Sequence, residues 1–439
     1  MAKIMPFKGY RYSTDKIENP AEVMAPPYDS LSDEEDVSYY DMSPYNAVRL
    51  VSKRNHESHN DCYERSKDFL NSWIDDRILV KEDKPAIYVY EETVTINGEN
   101  YYSRGIVSLL ELTEYEKGVV VPCEEPSTHS INDRLSMISA TESNNSLVSC
   151  MYTDISKGIS SLFAEVQEIK PQMEFVTSND QRHKLWVITD ENKIKLVQKE
   201  LEDKKIFIVD GHNRYEACLE YKKNAMKKGD YTGKESYNYI MTLISYAGDD
   251  GRVHMPVHRL VKCGVNFSDV YLVAGIQDNF KVEKIIVDKS DDDMGETMRR
   301  QIATQRQETK FALYMGTDFF YKLTFKGEKY LNSIMPDVSD SYRNLDLNIL
   351  NKLMFEEQFG INESNEAERV TYTRSINEGI AAVDNKEYTC LFVVNPVRPP
   401  QFEAMTKTGE KLPKRSVSIF PKPATGIVIH KFCKDLLND

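Results

Sequence analysis

Long apolar runs are missing from this sequence of 439 residues. No window approaches the ~20 consecutive apolar residues that a membrane-spanning helix needs, so a membrane partner is not expected. The opening residues, Met1-Ala2-Lys3-Ile4-Met5-Pro6-Phe7, lack the apolar core of a secretory signal. No internal repeat, low-complexity tract or Gly/Ser linker is present, which points to domains in close contact rather than strung out. Cysteine is scarce and unpatterned. The seven residues Cys62, Cys123, Cys150, Cys218, Cys263, Cys390 and Cys433 contain no Cys-x-x-Cys pair. That excludes a zinc ribbon, leaves no metal site to expect, and fits reduced thiols in the cytosol. Positive charge is in deficit, 56 Lys plus Arg against 70 Asp plus Glu, for a formal net charge of −14. Bulk attraction to nucleic acid is therefore disfavoured, although a local basic pocket is not. No helix-turn-helix segment stands out, so DNA is not an expected partner. The 40% hydrophobic and 29% charged fractions are those of a globular chain, and the length fits about two to four domains. The expectation is an acidic, cytoplasmic globular protein.

Local patterns divide the chain further. Pro26-Pro27 within Ala25-Pro26-Pro27-Tyr28-Asp29 forbids helix and predicts a rigid extended turn. The acidic run Ser32-Asp33-Glu34-Glu35-Asp36 predicts a helix start, because carboxylates favour the positive end of the dipole. Apolar spacing predicts an amphipathic helix over 63–79. Asn97-Gly98 between β-rich runs predicts a hairpin, and a second antiparallel pair is expected from 237–246 and 252–261. Between them fall a strand at 184–189, a helix at 191–201 and a strand at 205–209. Residues 275–335 carry a β-α-β-β order and read as a small α+β insertion. The expected architecture is α+β rather than a doubly wound parallel sheet. It has an N-terminal hairpin-bearing region over 1–115, a core over 116–274, the insertion over 275–335, and a C-terminal helical region with a closing strand over 336–439.

The stretch most suggestive of chemistry is Lys205-Ile206-Phe207-Ile208-Val209-Asp210-Gly211-His212-Asn213-Arg214-Tyr215. A buried strand would end at Asp210, turn at Gly211, and open a helix near His212 or Asn213. Such a junction presents backbone N–H groups at the positive end of a helix, a ready anion site. Arg214 adds a planar cationic fork suited to phosphate. His212 can donate a hydrogen bond or move a proton near neutral pH, and Asp210 could orient it, hold a divalent ion or act as a base. The plain alternative is a tight turn with Asn213 as a helix cap, and the spacing alone leaves both open.

The Asp-Gly-His-x-Arg sequence after a strand resembles the signature of the ParB/sulfiredoxin-like superfamily, and is especially similar to its free-serine-kinase branch. The resemblance implies a ParB/sulfiredoxin-like mixed core in which Gly211, His212 and Arg214 line a nucleotide-phosphate pocket. Sulfiredoxins carry a catalytic cysteine where this chain has Gly211, so sulfinic-acid reduction is not implied. A wider set of ordered motifs covers most of the chain: Ala25-Pro26-Pro27-Tyr28-Asp29, Trp186-Val187-Ile188-Thr189-Asp190, the Asp-Gly-His motif, Pro256-Val257-His258-Arg259 and Phe420-Pro421-Lys422. Together they resemble a bacterial family known as domain of unknown function 1015. That family often has a His-Glu pair ahead of an Asp-Arg, whereas here Cys123-Glu124 precedes Asp133-Arg134.

The remaining motif residues carry two readings each. Asp29, after its stiff turn, is a candidate base or metal ligand, or an Asx-turn cap. His258 and Arg259 could bring further cations to the pocket or fill a core edge. Arg415, Ser416 and Lys422 form a basic cluster that suits a phosphate-bearing ligand or a solvated loop. Glu124 is a candidate for acid-base work. Other signals fail: 228–235 lacks P-loop spacing, 288–296 lacks the EF-hand glycine, and His56 with His59 reads as a solvated helix face.

Three functions remain. The leading expectation is a nucleotide-dependent phosphotransferase using ATP or ADP with Mg²⁺ on a small hydroxyl metabolite, with free L-serine as the first guess, in the kinase or the reverse phosphatase direction. Few side chains suffice, because phosphoryl transfer needs mainly positioning and charge neutralisation. The second is a regulatory nucleotide-binding protein without turnover. The third is a protein holding a phosphate or carboxylate metabolite and no nucleotide.

Overall fold

The computed structural model describes residues 1–436 apart from 54–56, 97–98, 125–127, 154–155, 178–179, 230, 250–252, 264–268, 288–292, 304–307, 328, 363 and 417. The chain forms two compact units, Met1–Val253 with Ile419–Asp439, and His254–Ser418. The first takes in the segments expected at 1–115 and most of 116–274, together with the end of the chain. The second takes in the expected insertion and most of the expected C-terminal region. Among the described residues no helix is long and apolar enough to cross a membrane.

The first unit is built on a nine-stranded mixed sheet. Its strands in chain order are β1 (Ile4–Met5), β2 (Ile87–Ile96), β3 (Glu99–Glu111), β4 (Val120–Pro122), β5 (Val148–Tyr152), β6 (Met173–Val176), β7 (Arg182–Ile188), β8 (Ile206–Asp210) and β9 (Tyr239–Tyr246). They lie in the order β4-β8-β5-β9-β3-β2-β7-β6, with β1 also paired to β3. Pairs β4/β8 and β5/β9 are parallel and the others antiparallel. The mixed α+β class expected from the sequence is what forms.

Period-two alternation sorts the side chains onto two faces. Ile87, Val89, Ile106, Leu110, Ile240 and Ile244 join one core cluster, whereas Tyr88, Tyr90, Val107, Leu109, Met241 and Leu243 join the other. Helices α1 (Asp33–Met42), α2 (His59–Asp75), α3 (Thr128–Thr141), α4 (Lys157–Gln167), α5 (Glu191–Glu202) and α6 (His212–Met226) flank the strands. Apolar residues of α4, α5 and α6 enter the first cluster; Leu70 and Trp73 of α2 and Ile427, Val428 and Ile429 of the closing segment enter the second.

Local chemistry sets the helix starts. Ser32 and Glu35 form a reciprocal capping box at α1. The Asp190 carboxylate accepts from the amides of Asn192 and Lys193 at 2.8 and 3.1 Å, opening α5. The α5 residues Ile194, Val197 and Leu201 then fall on one buried face.

The hairpin expected at Asn97-Gly98 has its turn outside the described residues, but its strands pair antiparallel from Tyr88 opposite Val107 to Ile96 opposite Glu99. The second expected pair does not form among the described residues. Strand β9 is an interior strand, with one edge taken by β3 and the other by β5, so neither is left for the following segment. The residues beyond it instead open the sheet of the second unit.

That second sheet holds β10 (His258–Val261), β11 (Phe280–Ile286), β12 (Lys310–Tyr314), β13 (Phe319–Phe325), β14 (Val370–Thr373) and β15 (Cys390–Val393), in the order β11-β13-β12-β15-β10-β14. The β-α-β-β order expected at 275–335 is present, with α7 (Met294–Ile302) between β11 and β12. It is continuous with its surroundings, because β12 pairs with β15 and shares one sheet with β10.

Candidate functional site

The strand-Gly-helix junction lies in the first unit. Strand β8 is apolar and buried up to Val209, then delivers Asp210 at its C-terminal end. Gly211 follows with φ +89°, a left-handed conformation that suits glycine, and α6 begins at His212. A Cβ at Gly211 would meet Val148 Cγ2 at 3.2 Å, with Val148 Cα and Arg214 Cζ both at 3.3 Å, so the turn is tightly packed as well as left-handed. Residues 211–214 stay partly exposed, whereas Tyr215, Ala217, Cys218 and Leu219 are buried. The Tyr215 hydroxyl anchors the helix, accepting from the Thr113 amide at 3.0 Å and donating to its carbonyl at 2.9 Å.

Three charges meet at the junction. Lys422 Nζ lies 3.5 Å from one carboxylate oxygen of Asp210, and Arg214 lies 3.7 Å from the other. Arg214 also donates to the Leu147 carbonyl. Burial pushes the Asp210 carboxyl up, but Lys422 and Arg214 outweigh it and hold it below its ordinary value. An Asp in that state is a weak proton acceptor. His212 is placed differently from a phosphate donor: its Nε2 accepts from the amides of Cys123 and Glu124 at 3.2 and 3.3 Å. The arrangement requires the proton on Nδ1. His212 thereby clasps the Cys123-Glu124 segment to the start of α6.

A second arginine enters from α3, which packs along α6. The Arg134 guanidinium sits 4.2 Å above the Tyr28 ring and pairs with Asp133. Asp133 in turn accepts from Tyr63 at 2.6 Å and lies 3.1 Å from His59 Nδ1. Burial opposes its charge, but Arg134 and Tyr63 hold its carboxyl below the usual range. Arg134 and Arg214 line one cleft with Asn144, Asn145, Ser143, Ser146, Cys218 and an apolar wall including Met137 and Ile240. The interior volume of about 40 Å³ holds a few waters or one group of phosphate size.

The structure thus joins several sequence motifs. The Pro26-Pro27-Tyr28 turn contacts Arg134, Arg134 shares a cleft with Arg214, and Arg214 and Lys422 flank Asp210. The Thr425 and Ala25 backbones pair, which ties the closing segment to that turn. Arg134 was not among the expected binding residues, and the Asp133-Arg134 pair was its signal in the sequence. The side chain of Asp29 lies outside the described residues. Glu124 is partly buried, its amide held by His212.

In the second unit, His258 is buried and its Nδ1 accepts from the Val394 amide at 3.2 Å. Burial, assisted by Arg259, pulls its imidazole down to about 4. Arg259 is 1% exposed and donates to the carbonyls of Val257 and Arg415. Ser416 is buried and donates to the Pro413 carbonyl at 2.5 Å, and Arg415 is exposed with φ +57°. These four residues make bonds within their own unit.

No metal-ligand group of three or more His, Cys, Asp or Glu occurs among the described residues. Asp210, flanked by two cations, does not fit as a magnesium ligand.

No curated protein matches the sequence. Among solved structures, the chain is similar to a conserved hypothetical protein from Pyrococcus furiosus, with 12% identity, 71% of this chain and 92% of that one covered, and a TM-score of 0.32. It is similar to C-terminally truncated SbnI from Staphylococcus aureus, with 10% identity, 73% and 86% covered, and a TM-score of 0.36. A free serine kinase in complex with AMP matches at 11% identity, 69% and 83% covered, and a TM-score of 0.30. Likenesses this slight carry no argument about ligand or activity. The sequence comparison is decisive where these are not: residues 4–348 match the family described as "Protein of unknown function (DUF1015)", and the chain belongs to that family.

Proposed function

We propose that the cleft between α3 and α6 binds the phosphate end of a nucleotide or phosphometabolite, on a ParB/sulfiredoxin-like core, and that the protein is a phosphotransferase acting on a small hydroxyl compound. The observation that carries this reading is the convergence of Arg134 and Arg214 on one cleft beside the Gly211 turn, in a chain of net charge −14. Two guanidinium groups offset the charge of a phosphoryl group. Glu124, held beside the turn through its amide, is the candidate base for the substrate hydroxyl; Asp210, neutralised by Lys422 and Arg214, is a positioning group. Free L-serine is the first substrate to test, by the resemblance of the Asp-Gly-His-x-Arg motif.

A second reading is favoured by the state of Asp210 and its poor fit to magnesium: a regulatory binder of the same ligands without turnover. The experiment is a thermal-shift panel of ATP, ADP, phosphoserine and inorganic phosphate, followed by product analysis with ATP or ADP, magnesium and serine. A ligand at a hundred times its Kd adds about 2.7 kcal/mol. Stabilisation with phosphoserine formed supports the enzyme, stabilisation without product supports the binder, and no stabilisation by any of the four overturns both.

A further inference from the structure

Two cysteines in the second unit lie side by side, although 127 residues separate them in the sequence, the difference between positions 263 and 390. Val261, the last residue of β10, pairs directly with Cys390, the first of β15. The chain then leaves the ladder: the Thr389 amide donates to the Val261 carbonyl at 2.9 Å, and the Cys263 amide donates to the Thr389 hydroxyl at 2.9 Å. This turn places the Cys263 side chain beside that of Cys390. Cys263 is partly exposed and Cys390 is buried behind it.

A cation is fixed beside the pair. Arg369 donates from Nε to the Lys262 carbonyl at 3.0 Å and from its terminal nitrogen to the Phe359 carbonyl at 2.9 Å. Its guanidinium therefore flanks Cys263. The neighbouring Cys390 thiol, the Arg369 charge and the Thr389 hydroxyl bring the Cys263 thiol below its ordinary range despite burial. Burial pushes the thiols of Cys62, Cys123 and Cys218 the other way, up. A reachable sulfur disposed to ionise, backed by a buried thiol, is the arrangement of an attacking and a resolving cysteine.

We propose that Cys263 and Cys390 are a redox-modification site, at which a hydroperoxide oxidises Cys263 and Cys390 resolves the product as an intramolecular disulfide. The Cys263 thiolate attacks one peroxide oxygen; the S–O bond forms, the O–O bond breaks, and the departing hydroxide or alkoxide takes up a proton. The Cys390 thiol then gives up its proton, its sulfur bonds to that of Cys263, and the sulfenic oxygen leaves as water. Two thiols lose two electrons and two protons, and the peroxide is reduced to two molecules of water, or to water and an alcohol. The other five cysteines stay reduced.

The test uses the full chain and hydrogen peroxide. After oxidation and blocking of remaining thiols, a tryptic digest without reductant is expected to contain peptides 263–281 and 387–407 joined, and the thiol count to fall from seven to five. Cys390→Ala is expected to trap a sulfenic acid at Cys263, detected by dimedone, and Cys263→Ser to abolish both signals. Cys390→Ala is read only if its far-UV dichroism matches the parent; the parent digest decides the question alone. Peroxide treatment that leaves Cys263 and Cys390 unlinked in the folded parent, or links other cysteines in preference, overturns the proposal.

Discussion

Gly211→Ala tests the geometry of the junction and separates backbone strain from packing. Its φ of +89° costs an alanine about 1–2 kcal/mol. The new methyl would also press on Val148 and Arg214 at 3.2–3.3 Å. Val148 belongs to the interior strand β5, whose Cα cannot withdraw, so Arg214 or the helix start must move, adding about 1–3 kcal/mol. Gly118 provides the control: its φ is +64° and a Cβ there meets nothing within 4 Å, so Gly118→Ala should carry only the backbone cost. Both tryptophans, Trp73 and Trp186, are buried in the first unit. Urea unfolding followed by tryptophan fluorescence therefore reports the unit that holds both glycines. Gly211→Ala should lose about 2–5 kcal/mol in all, and Gly118→Ala only about 1–2 kcal/mol. The Gly211→Ala protein should also bind ADP or phosphoserine more weakly, because Arg214 is displaced. Equal losses for the two variants would refute the packing described for the turn.

Other outcomes are expected from the same arrangement. His212→Ala leaves the Cys123 and Glu124 amides without their imidazole acceptor and should cost about 1 kcal/mol in urea unfolding, while His212→Asn, which keeps an acceptor, should cost less. Asp210 is held below its ordinary value of 3.8, so its contribution to stability is complete above that value and is lost as pH falls through the lower, folded value. Lys422→Met should therefore flatten the acid limb of a stability-pH profile below pH 4, and an unchanged limb would contradict the ion pair. His183 and His258 are buried and both pulled down to about 4 from 6.5. Each favours the fold fully above pH 6.5, and that contribution disappears between 6.5 and 4. Their ring protons in NMR spectra should not titrate between pH 5.5 and 8.

Elements with local causes were legible in the sequence. Asp190 caps α5 through its own side chain, and the break from Val209 to His212 is written in one glycine between an apolar run and a helical one. The pairing of β9 was not legible, since its partners β3 and β5 come from more than eighty residues away and its uniform burial carries no face signal. Arg134 was missed for the same kind of reason: it becomes a cleft residue only when α3 packs along α6. The role of His212 as an acceptor depends on two amides from a distant segment, so its residue type suggested a donor. The buried set Tyr90, Glu92 and His183 lies within the β2–β7 pairing, beside the Lys184–Glu91 ion pair. The Tyr90 hydroxyl lies 2.7 Å from His183 Nδ1 and accepts from the Ala424 amide at 3.2 Å, which fastens the segment carrying Lys422. Alternation alone does not predict such a fastening.

The most direct test of the central claim is isothermal titration of the protein with ADP and with phosphoserine, alongside Arg134→Ala and Arg214→Ala. The account predicts saturable one-to-one binding of at least one of them, weakened about tenfold or more by each substitution. Binding that both substitutions leave intact, or no heat from either ligand, would contradict it.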